Sequence, residues 1–134
     1  LPPISWFIER SGGVFIDRGN RAQTARVLRD LVTKLKNGSV MLIFPEGTRS
    51  DDGITMRDFQ KDSLGLPYKM KIPVIPVSID GTGKLFGKKD KSFKPANIKI
   101  SIDKPVLSED FENLNDYSDF IGRTIHKNLE ELRK

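Results

Sequence analysis

The stretch that decides the expected fold is Val40-Met41-Leu42-Ile43-Phe44, followed at once by Pro45-Glu46-Gly47-Thr48-Arg49-Ser50. The first part is a continuous apolar run of strand length, which predicts a strand covered on both faces, as in a parallel sheet. Proline and glycine in the second part predict a loop. Because ligands of open α/β sheets bind at the carboxyl ends of strands, this loop is a candidate binding site.

Further strands and helices are predicted on both sides of this stretch. Gly12-Gly13 precede the short apolar run Val14–Ile16, which indicates a strand. Residues 21–36 carry apolar side chains at helical spacing, with Asn20 as a candidate N-cap. Asn37-Gly38 then provide a helix-stop signal. The spacing therefore predicts a helix between two strands.

The second half of the chain continues the alternation. Residues 58–70 favour a short helix, and residues 72–79 favour a buried strand whose prolines predict an edge position or irregular pairing. Residues 97–103 alternate isoleucine with polar side chains, which predicts a half-buried strand. A final helix is expected over residues 116–133. Together these elements predict an α/β fold with a mostly parallel central sheet and helices on its faces.

Composition limits the class of protein. The 134 residues suit a single domain over 1–134, and 37% hydrophobic with 31% charged residues is typical of a globular chain. No apolar run approaches the ~20 residues that span a bilayer. Cysteine is absent, which excludes disulfides and thiol nucleophiles. The net charge of +5 favours anionic partners, although so small an excess also fits a soluble protein without one.

The loop after Phe44 carries groups that suit a phosphate. Arg49 offers a planar fork of N–H donors, and Thr48 and Ser50 add hydroxyl donors. Gly47 lets the backbone approach a ligand closely, and Glu46 would orient the arginine or a substrate hydroxyl. On physical grounds alone, an ordinary loop with an internal contact between glutamate and arginine is an equally good interpretation.

A second charged segment follows the first predicted strand. Gly13-Val14-Phe15-Ile16 end in Asp17-Arg18, and Arg18 would join Arg49 around one anion. The alternative is a surface pair of Asp17 and Arg18, which is the commoner outcome for a lone pair of opposite charges.

These segments resemble the 1-acylglycerol-3-phosphate acyltransferase family of glycerolipid acyltransferases. Gly13–Arg18 is similar to its second sequence block, Phe44–Ser50 matches its Glu-Gly-Thr-Arg third block, and Ile72–Ile79 is similar to its fourth. The resemblance implies a glycerol-3-phosphate acyltransferase-like fold and transfer of an acyl group from acyl-CoA or acyl carrier protein to a lysophosphatidic-acid-type acceptor. The substrate-binding residues that it implies are Arg18, Glu46, Gly47, Thr48, Arg49 and Lys61.

The sequence departs from that family in two places. Its His-x4-Asp block is absent, and the lone His126 stands in the last predicted helix, where a surface position is expected. We therefore expect the catalytic histidine before Leu1, in a longer enzyme, and no turnover by this chain alone. Where the family has Phe, two basic residues and Gly, this chain has Phe59-Gln60-Lys61-Asp62, so that only Lys61 matches a basic position there.

Other functions and partners remain open from the sequence. One alternative is a non-catalytic module that binds phosphate or anionic lipid. Nucleic acid is disfavoured, because the aromatic residues do not interleave with the basic ones as base-stacking platforms. No metal or cofactor is implied, and the acyl donor would be a co-substrate. The lysine-rich residues 81–94 suggest an anionic membrane surface, with the protein at the cytoplasmic face and any anchor outside this chain.

Overall fold

The computed structural model describes Trp6, Arg10, Ser11 and residues 21–60, 62–90 and 92–134. The chain forms two compact units, Leu1–Leu42 and Ile43–Lys134, and each is described here by itself. The predicted strand at Val14–Ile16 and the predicted cap Asn20 lie outside the described residues.

The first unit contains helix α1, Arg21–Lys36, as its spacing predicts. The helix ends at the expected signal, because Gly38 takes a φ of +85° that is readily accessible to glycine. The N–H of Gly38 donates to the carbonyl of Leu35 at 3.0 Å, and the N–H of Ser39 donates to that of Lys34 at 3.1 Å. These bonds satisfy carbonyls that the last helical turn leaves without partners.

The second unit combines helices with an antiparallel pair of strands. Its elements in chain order are α2 Gly65–Met70, β1 Val77–Asp80, α3 Thr82–Leu85, β2 Lys99–Ile102, a 3₁₀ turn Ser108–Asp110 and α4 Leu114–Leu132. Strands β1 and β2 pair so that Val77 lies opposite Ile102 and Asp80 opposite Lys99. Helix α4 contacts both strands and α2. The second unit is therefore a mixed α/β structure.

Proline shapes the pairing before β1. Val74 and Val106 form an isolated antiparallel bridge, with N–H to carbonyl distances of 3.1 and 2.8 Å in the two directions. Pro76 cannot donate to the ladder, but its carbonyl accepts the N–H of Asp103 at 3.0 Å. The prediction of irregular pairing at these prolines is confirmed.

The core of the second unit lies under α4. Asn113 caps this helix, since its side-chain oxygen accepts the N–H of Asp116 at 3.0 Å. Tyr117 and Ile121 project from the helix and form a buried cluster with Leu64. Around this cluster pack partly buried side chains that include Phe59. The segment after the candidate loop is thus tied to the core through an aromatic ring.

Several predicted elements differ in the structure. Residues 40–44 form no strand, and Val40, Leu42 and Phe44 are exposed, because a strand needs a hydrogen-bonded neighbour that an apolar run cannot specify. The strands of the described residues are antiparallel, so the mostly parallel sheet is not confirmed among them. The helix expected over residues 58–70 is shortened to α2, and residues 80–96 include α3.

The predicted burial of residues 72–79 is also wrong in part. Ser78 is buried against α4, where its hydroxyl donates to the carbonyl of Ile125 at 3.4 Å. Its neighbours Val77 and Ile79 point to the opposite face and are exposed, as are Ile100 and Ile102 on β2. Alternation along a strand places successive side chains on opposite faces, so only one set can be covered by α4.

Candidate functional site

The loop after Phe44 is held by its own glutamate and by Gln60. Gly47 takes a φ of +70°, and its N–H donates to the carbonyl of Phe44 at 3.0 Å, which closes a tight turn. One carboxylate oxygen of Glu46 accepts the backbone N–H of Arg57 at 2.7 Å. Gln60 donates its backbone N–H to the carbonyl of Pro45 at 2.8 Å and its amide to that of Glu46 at 3.3 Å. Glu46 therefore fixes the shape of the loop.

Arg49 leaves the loop and lies on a neighbouring turn. Its two terminal nitrogens approach the carbonyl oxygens of Gly87 and Lys88, each at 3.5 Å. Its guanidinium carbon lies over the ring of Phe86, 5.4 Å from the centroid. Both hydrogen bonds are long enough to be weak. The internal contact between Glu46 and Arg49 is not formed, and no carboxylate among the described residues makes an ion pair with Arg49.

Two aspartates support the rest of the loop. Asp51 pairs with Lys88 at 2.5 Å and with Arg57 at 2.8 Å, and the hydrogen bond from Lys88 is the main cause that lowers the pKa of Asp51. Asp52 accepts hydrogen bonds from the hydroxyl of Ser50, the backbone of Ile54, and the backbone and hydroxyl of Thr55. These donors, the hydroxyl of Ser50 first, hold the pKa of Asp52 well below its usual range.

The predicted site residues have different outcomes. Thr48 and Arg49 lie exposed on the loop surface, where a ligand can reach them. The hydroxyl of Ser50 donates to Asp52 at 2.6 Å and accepts the N–H of Gly53 at 3.1 Å, so it serves the loop rather than a ligand. Arg18 and Lys61 lie outside the described residues, and their predicted roles stay predictions.

The structure adds residues to the surroundings of Arg49 that the sequence placed only in the lysine-rich segment 81–94. The turn that receives Arg49 contains Phe86, Gly87 and Lys88. The two residues whose carbonyls contact the arginine, Gly87 and Lys88, follow it by 38 and 39 residues in the sequence. Gly53 and Gly83 pack backbone against backbone, because a Cβ built on Gly83 would lie 2.2 Å from the carbonyl oxygen of Gly53. Lysine and glycine are common in surface loops, so their composition gave no signal of this contact.

His126 lies on α4, where 61% of its side chain is exposed and Nδ1 is 3.8 Å from a carboxylate oxygen of Glu130. This agrees with the expected surface position. Within the described parts of the chain, no group of three or more acidic or histidine side chains is arranged to hold a metal ion. No helix in those parts is long and apolar enough to cross a membrane.

Several known proteins are similar to this chain in sequence. The family model described as Acyltransferase matches residues 1–80. The 1-acyl-sn-glycerol-3-phosphate acyltransferase of Saccharomyces cerevisiae is 29% identical over 98% of this chain and 45% of its own length. A protein of the same name from Chlamydomonas reinhardtii is 32% identical over 79% of this chain and 32% of its own length. The chain thus spans about half of the yeast relative and less of the algal one.

A solved structure agrees with these relatives. The 1-acyl-sn-glycerophosphate (LPA) acyltransferase PlsC from Thermotoga maritima is 36% identical, with a TM-score of 0.83 over 99% of this chain and 52% of that protein. The structure thus matches the fold of that acyltransferase, as the resemblance implies. On the match of residues 1–80 and these relatives, the chain belongs to the acyltransferase family, with the 1-acylglycerol-3-phosphate acyltransferases.

Proposed function

We propose that this chain binds the phosphate of a lysophosphatidic-acid-type acceptor and so serves acyl transfer in phospholipid biosynthesis. The observation that carries the proposal is the state of Arg49. Arg49 is exposed on the loop, and apart from its contact with the ring of Phe86 its guanidinium makes only two hydrogen bonds, each of 3.5 Å, to carbonyl oxygens. A phosphate offers shorter, charge-assisted bonds to the same N–H groups, so it would displace these contacts readily.

In the proposed reaction, the free hydroxyl of the acceptor attacks the carbonyl carbon of an acyl thioester. A new ester bond forms, the thioester bond breaks, and the hydroxyl proton must be taken up as the thiolate of acyl-CoA or acyl carrier protein leaves. Arg49 would fix the acceptor by its phosphate, while Glu46 and Gly47 shape the loop beneath it. His126 is the one histidine of the sequence and lies exposed on α4, so these 134 residues lack the family's general base.

Binding of the acceptor tests the proposal. We expect the chain to bind lysophosphatidic acid more tightly than monoacylglycerol, which has the same chain but no phosphate. Replacing the charged donor, Arg49→Gln, should weaken lysophosphatidic acid binding by about tenfold and leave monoacylglycerol binding unchanged. Titration calorimetry below the critical micelle concentration measures both constants.

A matched control separates this site from a general effect of charge. Arg26→Gln removes the same charge from an exposed position in α1 and should leave both affinities unchanged. If Arg26→Gln and Arg49→Gln weaken binding equally, the phosphate is attracted by net charge alone and the proposed site is wrong.

A non-catalytic lipid- or phosphate-binding module is the second candidate. It is favoured by one observation, namely that the sequence contains no His-x4-Asp block. Incubation with lysophosphatidic acid and either oleoyl-CoA or oleoyl-acyl carrier protein distinguishes the two candidates when it is done with the gene's whole product. Turnover with either donor supports the enzyme and names the donor. Acceptor binding without turnover supports the module.

A membrane surface is the further partner that we propose, at the cytoplasmic face. Lys84 and Lys89 are exposed, and Phe93 exposes 73% of its side chain in the same lysine-rich segment. Lys88 and Lys94 already pair with aspartates, which lowers the free positive charge of the segment. The attraction to anionic lipid is roughly 1 kcal/mol for each basic side chain close to the surface.

Co-sedimentation with vesicles tests this partner. We expect binding to vesicles that contain about 30% phosphatidylserine, an anionic fraction that gives the surface a strong negative potential. A Lys84→Gln, Lys89→Gln double variant should show a clear loss of binding. A double variant of Lys34 and Lys36 in α1 removes the same charge elsewhere in the chain. Equal losses in both variants would refute a docking role for the segment.

A further inference from the structure

The turn that receives Arg49 is built by its own hydrogen bonds. Asp90 accepts the N–H of Gly87 at 2.8 Å, and the N–H of Asp90 donates back to the carbonyl of Gly87 at 3.1 Å. The N–H of Lys94 donates to the carbonyl of Leu85 at 2.9 Å, which closes the segment behind the turn. The carbonyl oxygens that face Arg49 therefore belong to a defined turn.

The same turn is joined at two further points to the loop after Phe44, residues 45–55, which we call the phosphate loop. Lys88 pairs with Asp51 at 2.5 Å, which links a residue next to the carbonyl contacts with the loop itself. Gly53 and Gly83 meet backbone to backbone, with no space for a side chain between them. These two contacts do not involve Arg49. They therefore fix the distance between the phosphate loop and the turn without any contribution from the arginine side chain.

The ring of Phe86 contacts the guanidinium in a particular way. The guanidinium carbon lies over the ring at 5.4 Å from the centroid, which is within the range of a cation–π contact. Both terminal nitrogens still reach the carbonyl oxygens of Gly87 and Lys88, so the ring contact leaves the donor edges of the guanidinium available. Phe86 is itself stacked on Phe93, with centroids 4.6 Å apart, which limits its rotation.

We propose that Phe86 is a positioning residue for acceptor binding, a role that rests on the proposed function of Arg49. Its ring orients the guanidinium before the phosphate arrives. The carbonyls of Gly87 and Lys88 hold the donor edges at 3.5 Å, a distance at which hydrogen bonds are weak and are exchanged for phosphate oxygens at little cost. Preorganisation of this kind raises affinity because fewer rotamers of the long arginine side chain are lost on binding.

The test uses the 134-residue chain and sn-glycerol 3-phosphate, a soluble probe that carries the acceptor's phosphate without its acyl chain. Phe86→Leu keeps an apolar side chain but removes the aromatic face, and it should weaken probe binding about two- to fivefold. Phe86→Tyr keeps the aromatic face and should bind the probe as the parent chain does. NMR titration measures the affinities, and the melting temperature of each variant reports folding.

A double-mutant cycle makes the test specific for Arg49. In an Arg49→Gln background, Phe86→Leu should cause no further loss of affinity, because there is no guanidinium left to orient. Phe120→Leu is the matched control, since Phe120 is a partly exposed phenylalanine on α4 that contacts Phe111 instead. It should leave probe binding unchanged.

Two results would overturn the inference. Unchanged affinity in Phe86→Leu would show that the ring does not position the arginine. An equal loss in the parent and Arg49→Gln backgrounds would show that Phe86 acts on binding by another route. If Arg49→Gln itself leaves the affinity for the probe unchanged, then the proposed function fails, and that outcome is distinct from the two failures of Phe86.

Discussion

At the scale of single residues, Asp62 is in an unusual backbone conformation. Its φ is +60°, in the left-handed region that costs most residues about 1 kcal/mol or more, although aspartate tolerates it better than most. The acyltransferase family that the sequence resembles often has glycine there, after a phenylalanine and two basic residues. The carbonyl of Asp62 accepts the N–H of Gly65 at 2.9 Å, so this conformation directs the chain into α2.

The conformation of Asp62 gives a prediction about stability. Asp62→Gly should raise the free energy of unfolding by up to about 1 kcal/mol, because relief of the strained φ exceeds the entropy that glycine adds to the unfolded chain. Asp62→Ala should lower it, since alanine keeps a Cβ and tolerates the left-handed region less well than aspartate. Urea unfolding measures both variants, and a destabilised Asp62→Gly would contradict this account of the position.

At the scale of elements, the phosphate loop and the turn at residues 81–90 pack as one piece. Gly53 has a φ of +72°, and a Cβ on it would lie 2.9 Å from the Cα of Gly83. Arg133, at the end of α4, donates to the carbonyl of Ile54 at 2.6 Å and pairs with Asp80 at 2.7 Å. The end of α4 therefore holds both the loop and the end of β1.

Alanine in place of glycine should have opposite effects at two positions, one in the contact between Gly53 and Gly83 and one in α4. Gly83→Ala should destabilise the chain by about 1–3 kcal/mol and weaken acceptor binding, because its Cβ would lie 2.2 Å from the carbonyl oxygen of Gly53. Gly122→Ala, in the middle of α4, should stabilise it by about 0.5–1 kcal/mol, since alanine favours a helix.

Gly122→Ala is a suitable control because there is space for a Cβ at this position. A Cβ on Gly122 would meet the ring of Phe59 at 3.8 Å, which is an ordinary contact. Chemical denaturation measures both variants. A Gly83→Ala chain as stable as the parent would mean that the loop and the turn are not packed as described.

Local sequence predicted the helices better than the sheet. Helix α1 follows its apolar spacing and its Asn37-Gly38 stop, and α4 follows the stripe that begins at Tyr117. The run Val40–Phe44 has the composition of a buried strand, yet it has no strand neighbour among the described residues. Helical hydrogen bonds lie within a segment, whereas strand pairing depends on distant residues that one run cannot specify.

At the scale of the whole molecule, the site of the second unit is assembled from segments far apart in sequence. The sequence predicted Glu46, Gly47, Thr48 and Arg49 as site residues, because that stretch combines an arginine suited to phosphate with a glycine turn and resembles the Glu-Gly-Thr-Arg block of the family. It did not identify Phe86 or Lys88, which meet Arg49 and Asp51 only after folding. The alternative pair between Glu46 and Arg49 is not formed, because Glu46 accepts the backbone N–H of Arg57 while Arg49 lies on the carbonyls of the neighbouring turn.

The central claim is that Arg49 binds the phosphate of the acceptor. The most direct measurement is an NMR titration of the 15N-labelled chain with sn-glycerol 3-phosphate that follows the side-chain Nε–H of Arg49. We predict a saturable shift of this signal, similar in the presence of inorganic phosphate and absent with glycerol. A titration in which the signal of Arg49 stays fixed while the probe shifts signals elsewhere would contradict the account.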